Sequence, residues 1–320
     1  MTRKELIKAY AAWGAVCLFW GTTYLAIRIG VEVLPPALFA GIRFLIAGVF
    51  FVPALLLQGY RLPPRKELLD MSIVAVLLLV VANGIVVWAE QWIPSSLAAL
   101  IVATLPFWMV GIESLLPSGE ALSAKKIFGI LIGFLGLVLL IWPDLHGSID
   151  PAYLKGVAII LLAPLAWGAG SIYSKYRRIK TRPLMAAATQ MLIAGLILTG
   201  IGLFNGEAAR FHPSFQGFAA IVYLIVFGSI VGYGSYIYAL SHLPASMVST
   251  YAFINPVIAV LLGWLILGER LDWLVIAATG IILLGVLLVK TSSSSKSAIE
   301  LSTKPPSLVK SREVPDAARP

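Results

Sequence analysis

Long apolar runs separated by short polar stretches make up almost the whole chain. A transmembrane helix needs about 20 consecutive apolar residues, and ten segments come close to this length. They are Tyr10–Ile29, Pro36–Leu57, Met71–Ala89, Ser95–Leu116, Ile127–Trp142, Tyr153–Tyr173, Leu184–Phe204, Gly217–Leu240, Ala245–Leu267 and Trp273–Val289. The connections between them are too short to hold a soluble domain. The pattern therefore predicts an all-α membrane protein with ten transmembrane helices.

Two of these segments carry the same arrangement of prolines. The stretch His242–Asp272 opens with one proline, contains a second in mid-run and ends at Gly-Glu-Arg, and the arrangement also occurs 150 residues earlier. The matched residues are Pro94 with Pro244, Ser96 with Ser246, Pro106 with Pro256, and Gly119-Glu120 with Gly268-Glu269. A proline inside a helix removes a backbone hydrogen bond and kinks the helix, so Pro106 and Pro256 are predicted hinges. The two Gly-Glu stops are interpreted as helix caps or boundary anchors.

The internal match extends over the remaining segments. Further pairs are Trp20-Gly21 with Trp167-Gly168, Ala47-Gly48 with Ala194-Gly195, Trp88-Ala89 with Tyr238-Ala239, and Gly136 with Gly285. Each half therefore holds five segments, in residues 10–142 and 153–290. Because five is odd, the second half enters the membrane from the opposite side, and the halves are predicted to be inverted repeats. Many secondary transporters have this plan, with the substrate bound near the midplane between the repeats.

Composition and charge agree with this class of protein. Hydrophobic residues make up 59% of the chain and charged residues 12%, whereas a soluble domain carries about 25% charged residues. With the N-terminus in the cytoplasm, 19 of the 24 lysines and arginines fall on the cytoplasmic side, as the positive-inside rule requires. The net charge of +9 therefore reflects membrane topology and does not indicate nucleic acid. Both termini are predicted to be cytoplasmic, and the polar residues 291–320 are predicted to form a disordered tail.

Several motifs resemble those of the EamA family. They are WGTTYLAIRIG at Trp20–Gly30, IRFLIAG at Ile42–Gly48, the paired proline helices and the two Gly-Glu stops. The stretches NGIVVWAEQWIPSSLAALI and STYAFINPVIAVLLG are most similar to its YedA/PecM-type branch. Two EamA domains in tandem make the ten-helix carriers of the drug/metabolite transporter superfamily. The resemblance implies a bacterial inner-membrane exporter of small metabolites, and it does not fix the substrate.

The chain offers no catalytic constellation, no metal-ligand spacing and no GxxxxGK[ST] phosphate loop. It therefore predicts no enzymatic activity, no metal and no cofactor, and it predicts transport driven by a proton gradient or by downhill flow of the substrate. The leading interpretation is a secondary transporter that exports amino acids, related amphipathic compounds or drugs by alternating access. The alternative is a non-transporting membrane sensor or a subunit of a larger complex.

Two charged residues fall within or at the edge of the predicted segments, where charges are costly and usually functional. Arg43 has a planar guanidinium that suits a substrate carboxylate; the alternative is a structural anchor that pairs with helix-end carbonyls or an acid. Glu90 ends the third segment and is a candidate for binding a proton or a cationic group; the alternative is an exposed helix-end carboxylate. In the repeat, Arg43 lies opposite Gln190 and Glu90 opposite Leu240. Neither charged residue is therefore repeated in the second half.

Polar and aromatic residues inside the segments are the other candidates for a substrate cavity. In the first half they are Trp20, Thr23, Tyr24, Asn83, Trp88 and Trp108. In the second half they are Trp167, Ser171, Tyr173, Gln190, Tyr233, Tyr238, Tyr251 and Asn255. Buried polar groups need partners, which water and substrate supply in a cavity. The alternative for each tryptophan and tyrosine is the interfacial aromatic belt, and Asn255 has the alternative of capping carbonyls freed by Pro256.

Overall fold

Helices make up almost all of the chain that the structure describes. The computed structural model of the protein describes residues 3–116, 123–145, 150–177 and 179–303. In chain order the helices are α1 (Arg3–Val31), α2 (Pro36–Leu57), α3 (Arg65–Ala89), α4 (Ser95–Ser114), α5 (Ala124–Leu145), α6 (Pro151–Arg177), α7 (Pro183–Phe204), α8 (Phe215–His242), α9 (Ala245–Val248 and Tyr251–Leu267) and α10 (Trp273–Thr303). A short 3₁₀ turn, Glu207–Arg210, connects α7 to α8. The predicted all-α class is confirmed.

Seven of the described helices are long and apolar enough to cross a membrane, namely α1 to α4 and α6 to α8. Two shorter apolar helices, Ile254–Leu267 and Trp273–Leu288, accompany them. A helix satisfies all of its own backbone hydrogen bonds in hydrocarbon, so this chain is a multi-pass membrane protein. The number of long helices is below the ten predicted segments, in part because α9 is interrupted near its start and the apolar part of α10 is short.

The C-terminal helix extends beyond its predicted end. The sequence assigns residues 291–320 to a disordered tail, whereas α10 continues to Thr303. No glycine or proline follows Gly285 until Pro305, so the sequence holds no strong helix breaker over that stretch. Residues 304–320 of the predicted tail lie outside the described residues.

The most extensive helix packing joins α2 to α7 and α5 to α10. Between α2 and α7, a Cβ atom on Gly48 would come within 2.7 Å of the backbone of Leu192, and one on Gly195 would meet the backbone of Leu45. These two contacts are reciprocal, because Leu192 and Gly195 stand in the second half where Leu45 and Gly48 stand in the first. Reciprocal contacts of this kind are the property of a two-fold interface, and small residues let membrane helices approach closely.

The remaining helix contacts follow the same rule. α1 packs on α9 and on the middle of α8, while α6 packs on α4 and on the middle of α3. Each contact thus has its counterpart in the other half. The first helix of each half is consequently surrounded by helices of the other half, and the space between α1, α3, α6 and α8 lies at the centre of the molecule.

Carboxylates of each half hold the start of a helix in the other half. The carboxylate of Glu207 accepts a 2.8 Å hydrogen bond from the backbone N–H of Leu38 in the first turn of α2. Glu67 accepts bonds of 3.0 and 2.7 Å from the backbone N–H and the hydroxyl of Thr181, directly before α7. The first N–H groups of a helix have no partner within it, and an acceptor there stabilises the helix start.

A third carboxylate caps α4 from the loop that precedes α10. Glu269 accepts hydrogen bonds from the backbone N–H and hydroxyl of Ser95, at 2.8 and 2.7 Å, and from the N–H of Ser96 at 3.0 Å. The interpretation of this Gly-Glu stop as a helix cap is therefore confirmed. Its repeat partner Glu120 lies outside the described residues.

Candidate functional site

Two π-helical segments shape the centre of the molecule. They are Val76–Asn83 within α3 and Leu224–Tyr233 within α8, at matching positions of the two halves. A π-helix closes its hydrogen bonds over five residues and is rare outside functional sites. Both segments end on a polar residue, Asn83 or Tyr233, whose side chain reaches the central space.

Helices α4 and α9 are both interrupted, but at different places in the repeat. In α4 the interruption is at Ala103–Thr104, and Pro106 lies in the first turn of the following piece. In α9 it is at Ser249–Thr250, and the helix continues through Pro256. The interruption thus lies nearly two helical turns before Pro256. The proline ring crowds the carbonyl four residues earlier, and the backbone relieves this in the preceding turn, where the Ala252 N–H bonds to Ser249.

A central cavity lies between the two halves. It has a volume of about 70 Å³, which is room for roughly five to seven waters. In this conformation the cavity therefore suits a small metabolite. Its walls consist of Trp20, Thr23, Tyr24, Ile27, Arg43, Phe44, Leu79, Ala82, Asn83, Val86, Val102, Ala163, Trp167, Gly228, Tyr233 and Tyr251.

Arg43 is the charged group in the wall of this cavity. Its side chain is only 3% exposed. The guanidinium donates a 2.6 Å hydrogen bond from Nη2 to Oδ1 of Asn83 and lies 4.3 Å from the ring centre of Phe44. Nε and Nη1 are buried and have no hydrogen-bond partner among the described residues. Two donors of the planar fork are thus available to an acceptor in the cavity.

The second half makes the corresponding hydrogen bond with neutral groups. Tyr233 donates from its hydroxyl to Oε1 of the fully buried Gln190 at 2.7 Å. Gln190 and Tyr233 occupy the positions of Arg43 and Asn83 in the repeat. Both halves therefore contain this hydrogen-bonded pair, but only the pair in the first half includes a charged residue.

Gln190 also borders a second, larger space on the side of Lys175. This space, hereafter the vestibule, measures about 390 Å³ on the same scale and is lined by Ser174, Lys175, Ile179, Lys180, Thr181, Pro183, Ala186, Gln190, Ile237, Leu240 and Ser241. Because Tyr233 lines the central cavity and Gln190 lines the vestibule, their hydrogen bond lies in the partition between the two spaces.

Aromatic rings form one side of the central cavity. The indole of Trp20 lies 5.1 to 5.2 Å, centre to centre, from the rings of Trp167, Tyr236 and Tyr251. Its Nε1 donates to the carbonyl of Gly228 at 3.1 Å, which connects α1 to the π segment of α8. Edge-to-face rings at these distances stabilise one another beyond their buried area, so this wall is pre-formed.

Tyr236 organises that wall. Its hydroxyl lies 2.6 Å from Oγ of Ser171 and accepts a 3.0 Å hydrogen bond from Nε1 of Trp167. Its ring is 1% exposed. The sequence interpretation chose Tyr238 and not Tyr236, because Tyr238 matches Trp88 in the repeat. Helical spacing was the better signal, since Tyr236 follows Tyr233 by three residues and shares its face.

Eight of the residues proposed from the sequence line the central cavity. They are Trp20, Thr23, Tyr24, Arg43, Asn83, Trp167, Tyr233 and Tyr251. Ser171, also proposed from the sequence, lies behind the wall and contacts Tyr236. Phe44 also lines the cavity. The sequence gives no signal for it, because one apolar side chain does not stand out in an apolar segment.

Four predicted residues lie away from the central cavity. Trp88 is 36% exposed and, with Trp92, contacts the Nζ atom of Lys155. Tyr238 stacks on His242, with ring centres 4.2 Å apart, near the end of α8.

The other two of these four residues lie on α4 and α6. Trp108 donates to the hydroxyl of Thr104 and packs against Phe134. Tyr173 donates a 2.7 Å hydrogen bond to Asp70. In all four cases neighbouring side chains hold the ring in its position, and repeat matching does not predict these contacts.

Asn255 and Glu90 are buried beside the site without lining its wall. Asn255 is 3% exposed, and its Oδ1 has no partner among the described residues. Glu90 is fully buried, and neither carboxylate oxygen has a hydrogen-bond partner in the described ranges. The backbone carbonyl of Glu90 accepts a hydrogen bond from Nη1 of Arg28. The sequence alternative of an exposed helix-end carboxylate is therefore wrong for Glu90.

These apolar helices, with a polar and aromatic cavity enclosed at their centre, define a membrane protein built around a small-solute site. A family model described as the EamA-like transporter family matches residues 8–142 and again residues 154–291. An Escherichia coli (strain K12) protein described as the uncharacterized inner membrane transporter YedA is 37% identical over 292 residues, which is 90% of this chain and 92% of that relative. The chain belongs to the EamA-like transporter family, in its YedA-like branch, and is thus a membrane transporter.

Two further similarities extend this comparison. A protein of Escherichia coli (strain K12) named as a probable amino-acid metabolite efflux pump is 26% identical over 309 residues, covering 91% of this chain and 94% of that relative. A solved crystal structure that is 20% identical superposes with a TM-score of 0.65 and covers 90% of this chain and 98% of that one. This structural similarity shows a shared fold.

Proposed function

We propose that this protein is a secondary transporter that exports small amphipathic metabolites with a carboxylate group, such as amino acids, across the bacterial inner membrane. The observation that carries the proposal is the buried Arg43 guanidinium beside the central cavity, whose Nε and Nη1 atoms have no partner among the residues that the structure describes. A charge buried in this way is costly until it is paired. A carboxylate that accepts from Nη1 supplies this charge with a counter-ion and a charge-assisted hydrogen bond.

The remaining walls select the rest of the solute. Trp20, Trp167 and Tyr251 present ring faces and edges to the cavity, and such surfaces bind apolar groups and cations. A small solute with a carboxylate at Arg43 and an apolar body against these rings fits both features. The relative named as a probable amino-acid metabolite efflux pump supports the same substrate class.

The proposed architecture is ten membrane helices in two inverted repeats, residues 10–142 and 153–290, with both termini in the cytoplasm. The reciprocal contacts of α2 with α7 and of α5 with α10 support this arrangement. Two inverted halves can exchange conformations, so that the central cavity opens to one side and then to the other. The vestibule beside Lys175 is proposed to be the cytoplasmic opening.

The test is transport by the purified full chain in proteoliposomes. L-Phenylalanine, L-leucine and L-tyrosine are each compared with the amine that lacks the carboxylate, and protein-free liposomes are the control. Each amino acid is expected to move faster than its amine. Equal rates for every matched pair, or rates equal to the protein-free control with folded protein, would contradict the proposal.

A further inference from the structure

We propose that Glu90 is a proton-binding site whose protonation accompanies closure of the outer side of the transporter. The inference rests on the proposed function for its two-sided mechanism. It adds the coupled ligand, a proton, and the residue that holds it. It is carried by the burial of Glu90, by the charges around it and by its position in the repeat.

Burial determines which form of the side chain the structure holds. Glu90 is 0% exposed, and Oε1 and Oε2 both lack a hydrogen-bond partner in the described residues. An ionised carboxylate in such a site loses hydration worth many kcal/mol and regains little. The protonated, neutral carboxyl is therefore the form that fits this conformation.

The groups that face Glu90 come from every element packed around it. Tyr24 and Arg28 lie on α1, Arg43 lies on α2, and Glu269 lies in the loop before α10. On the α6 side, Lys155 is held on the rings of Trp88 and Trp92.

None of these groups forms an ion pair with Glu90. Arg28 donates to the backbone carbonyl of Glu90 and pairs with Glu32. Arg43 donates to Asn83, and Glu269 caps α4. Arg28 and Glu269 thus have other partners, Arg43 is hydrogen bonded to the neutral Asn83, and none of the three hydrogen bonds a carboxyl oxygen of Glu90.

The position of Glu90 connects it to the cavity. Val86 lines the cavity, and the backbone N–H of Glu90 bonds to its carbonyl at 3.0 Å. Glu90 therefore lies one helical turn beyond Val86 on the same face. It lies behind the cavity wall, directly after the last helical turn of α3.

The repeat shows what happens to this residue in the opposite conformation. Leu240, the counterpart of Glu90, lines the vestibule. Its carbonyl accepts a 2.7 Å hydrogen bond from Nζ of Lys175, as the carbonyl of Glu90 does from Arg28. Leu240 is 2% exposed, so after an exchange of conformations Glu90 borders an outer vestibule while it stays largely buried. Water that fills this vestibule then lies within reach of its carboxyl. One proton then passes from outer water to a carboxylate oxygen each time this vestibule closes, and returns when it opens.

The site is tested without any substrate by infrared spectroscopy of the purified full chain at neutral pH. The wild type is expected to show the C=O stretching band of one protonated carboxyl, and Glu90→Gln is expected to lose it. The matched control Glu5→Gln, which alters an exposed glutamate at the start of α1, is expected to keep it. Glu90→Asp, which retains an acid, is expected to shift the band.

Absence of the band from the wild type, or its persistence in Glu90→Gln, would overturn the proposal. Because no transported solute is involved, this result is independent of the transport screen. A site that titrates while no amino acid is transported would refute the proposed substrate class and leave the proton site in place.

The link to closure is tested by labelling from outside. Ile27 is 2% exposed, whereas its counterpart Ser174 lines the vestibule and is partly exposed. In a Cys17→Ser background, Ile27→Cys is labelled with a membrane-impermeant maleimide between pH 5 and 8, with and without Glu90→Gln. At each pH, the labelling rate without Glu90→Gln is divided by the rate with it, so that the pH dependence of the thiol itself cancels. This ratio is expected to change at least tenfold over this range. A constant ratio would refute the link.

Discussion

At the residue scale, the hydroxyl of Tyr236 keeps the aromatic wall in place. It accepts from the indole N–H of Trp167 and lies 2.6 Å from the hydroxyl of Ser171. Both neighbours lie on α6, whereas Tyr236 lies on α8. The site therefore depends on a buried polar network between helices, and such a network stabilises only when all of its members are satisfied.

Tyr236→Phe is expected to lower the free energy of unfolding by about 1 to 3 kcal/mol, because a buried indole N–H loses its acceptor. Thermal denaturation in detergent measures this loss. The matched control is Tyr238→Phe, whose ring stacks on His242 near a helix end, and its expected effect is within about 0.5 kcal/mol. Equal effects of the two substitutions would contradict the assigned role of Tyr236.

Sequence reasoning located the principal charge of the site but not its environment. Arg43 was matched to Gln190, and Asn83 to Tyr233, from the repeat alone. The structure adds that each pair of the same half is hydrogen bonded. That contact depends on the tertiary packing of α2 on α3 and of α7 on α8, which a periodic pattern does not specify.

At the element scale, the site is built from irregular helices. The π segments of α3 and α8 end at the cavity, and α4 and α9 are interrupted before Pro106 and Pro256. Apolar periodicity predicts the existence of these helices. It does not predict π-helical turns, because those arise when a helix adapts to its neighbours.

The two prolines are expected to differ in effect. Pro256→Ala restores a backbone hydrogen bond inside α9, so it is expected to raise the melting temperature and to slow transport by reducing flexibility. Proline inside a helix costs about 3 kcal/mol relative to alanine. Pro106 lies in a first helical turn, where a missing N–H costs little, and Pro106→Ala is expected to change stability by less than about 0.5 kcal/mol. Melting curves and transport rates are measured for both variants. Equal changes in Pro256→Ala and Pro106→Ala would contradict this prediction.

At the scale of the whole molecule, the two halves pack through reciprocal contacts. The contact of Gly195 with the backbone of Leu45 repeats that of Gly48 with Leu192. The sequence predicts that the two halves match and that the helices are apolar. It does not predict where the backbones of α2 and α7 come close, because glycine occurs in membrane segments for several different reasons.

Gly195→Ala is expected to destabilise the protein by about 1 to 3 kcal/mol, because its Cβ would overlap the backbone of α2. Gly200 lies on the same helix with no atom within 4 Å of the Cβ position. Gly200→Ala is therefore expected to be neutral or to stabilise by up to about 1 kcal/mol. Thermal denaturation of the pair checks the assignment, and an unchanged melting temperature for Gly195→Ala would remove it.

The central claim is that the free guanidinium donors of Arg43 bind a substrate carboxylate in the central cavity. Its most direct test is a calorimetric titration of the purified protein with L-phenylalanine, L-leucine and L-tyrosine. Arg43→Lys keeps the charge and loses the planar fork. The exposed Arg61→Lys is the matched control.

We predict that Arg43→Lys weakens binding of these amino acids about 10- to 100-fold, the value of one to two charge-assisted hydrogen bonds. Arg61→Lys is predicted to bind like the wild type, and the matching amines are predicted to bind equally to all three proteins. Amino-acid affinity that is unchanged in Arg43→Lys would contradict the account.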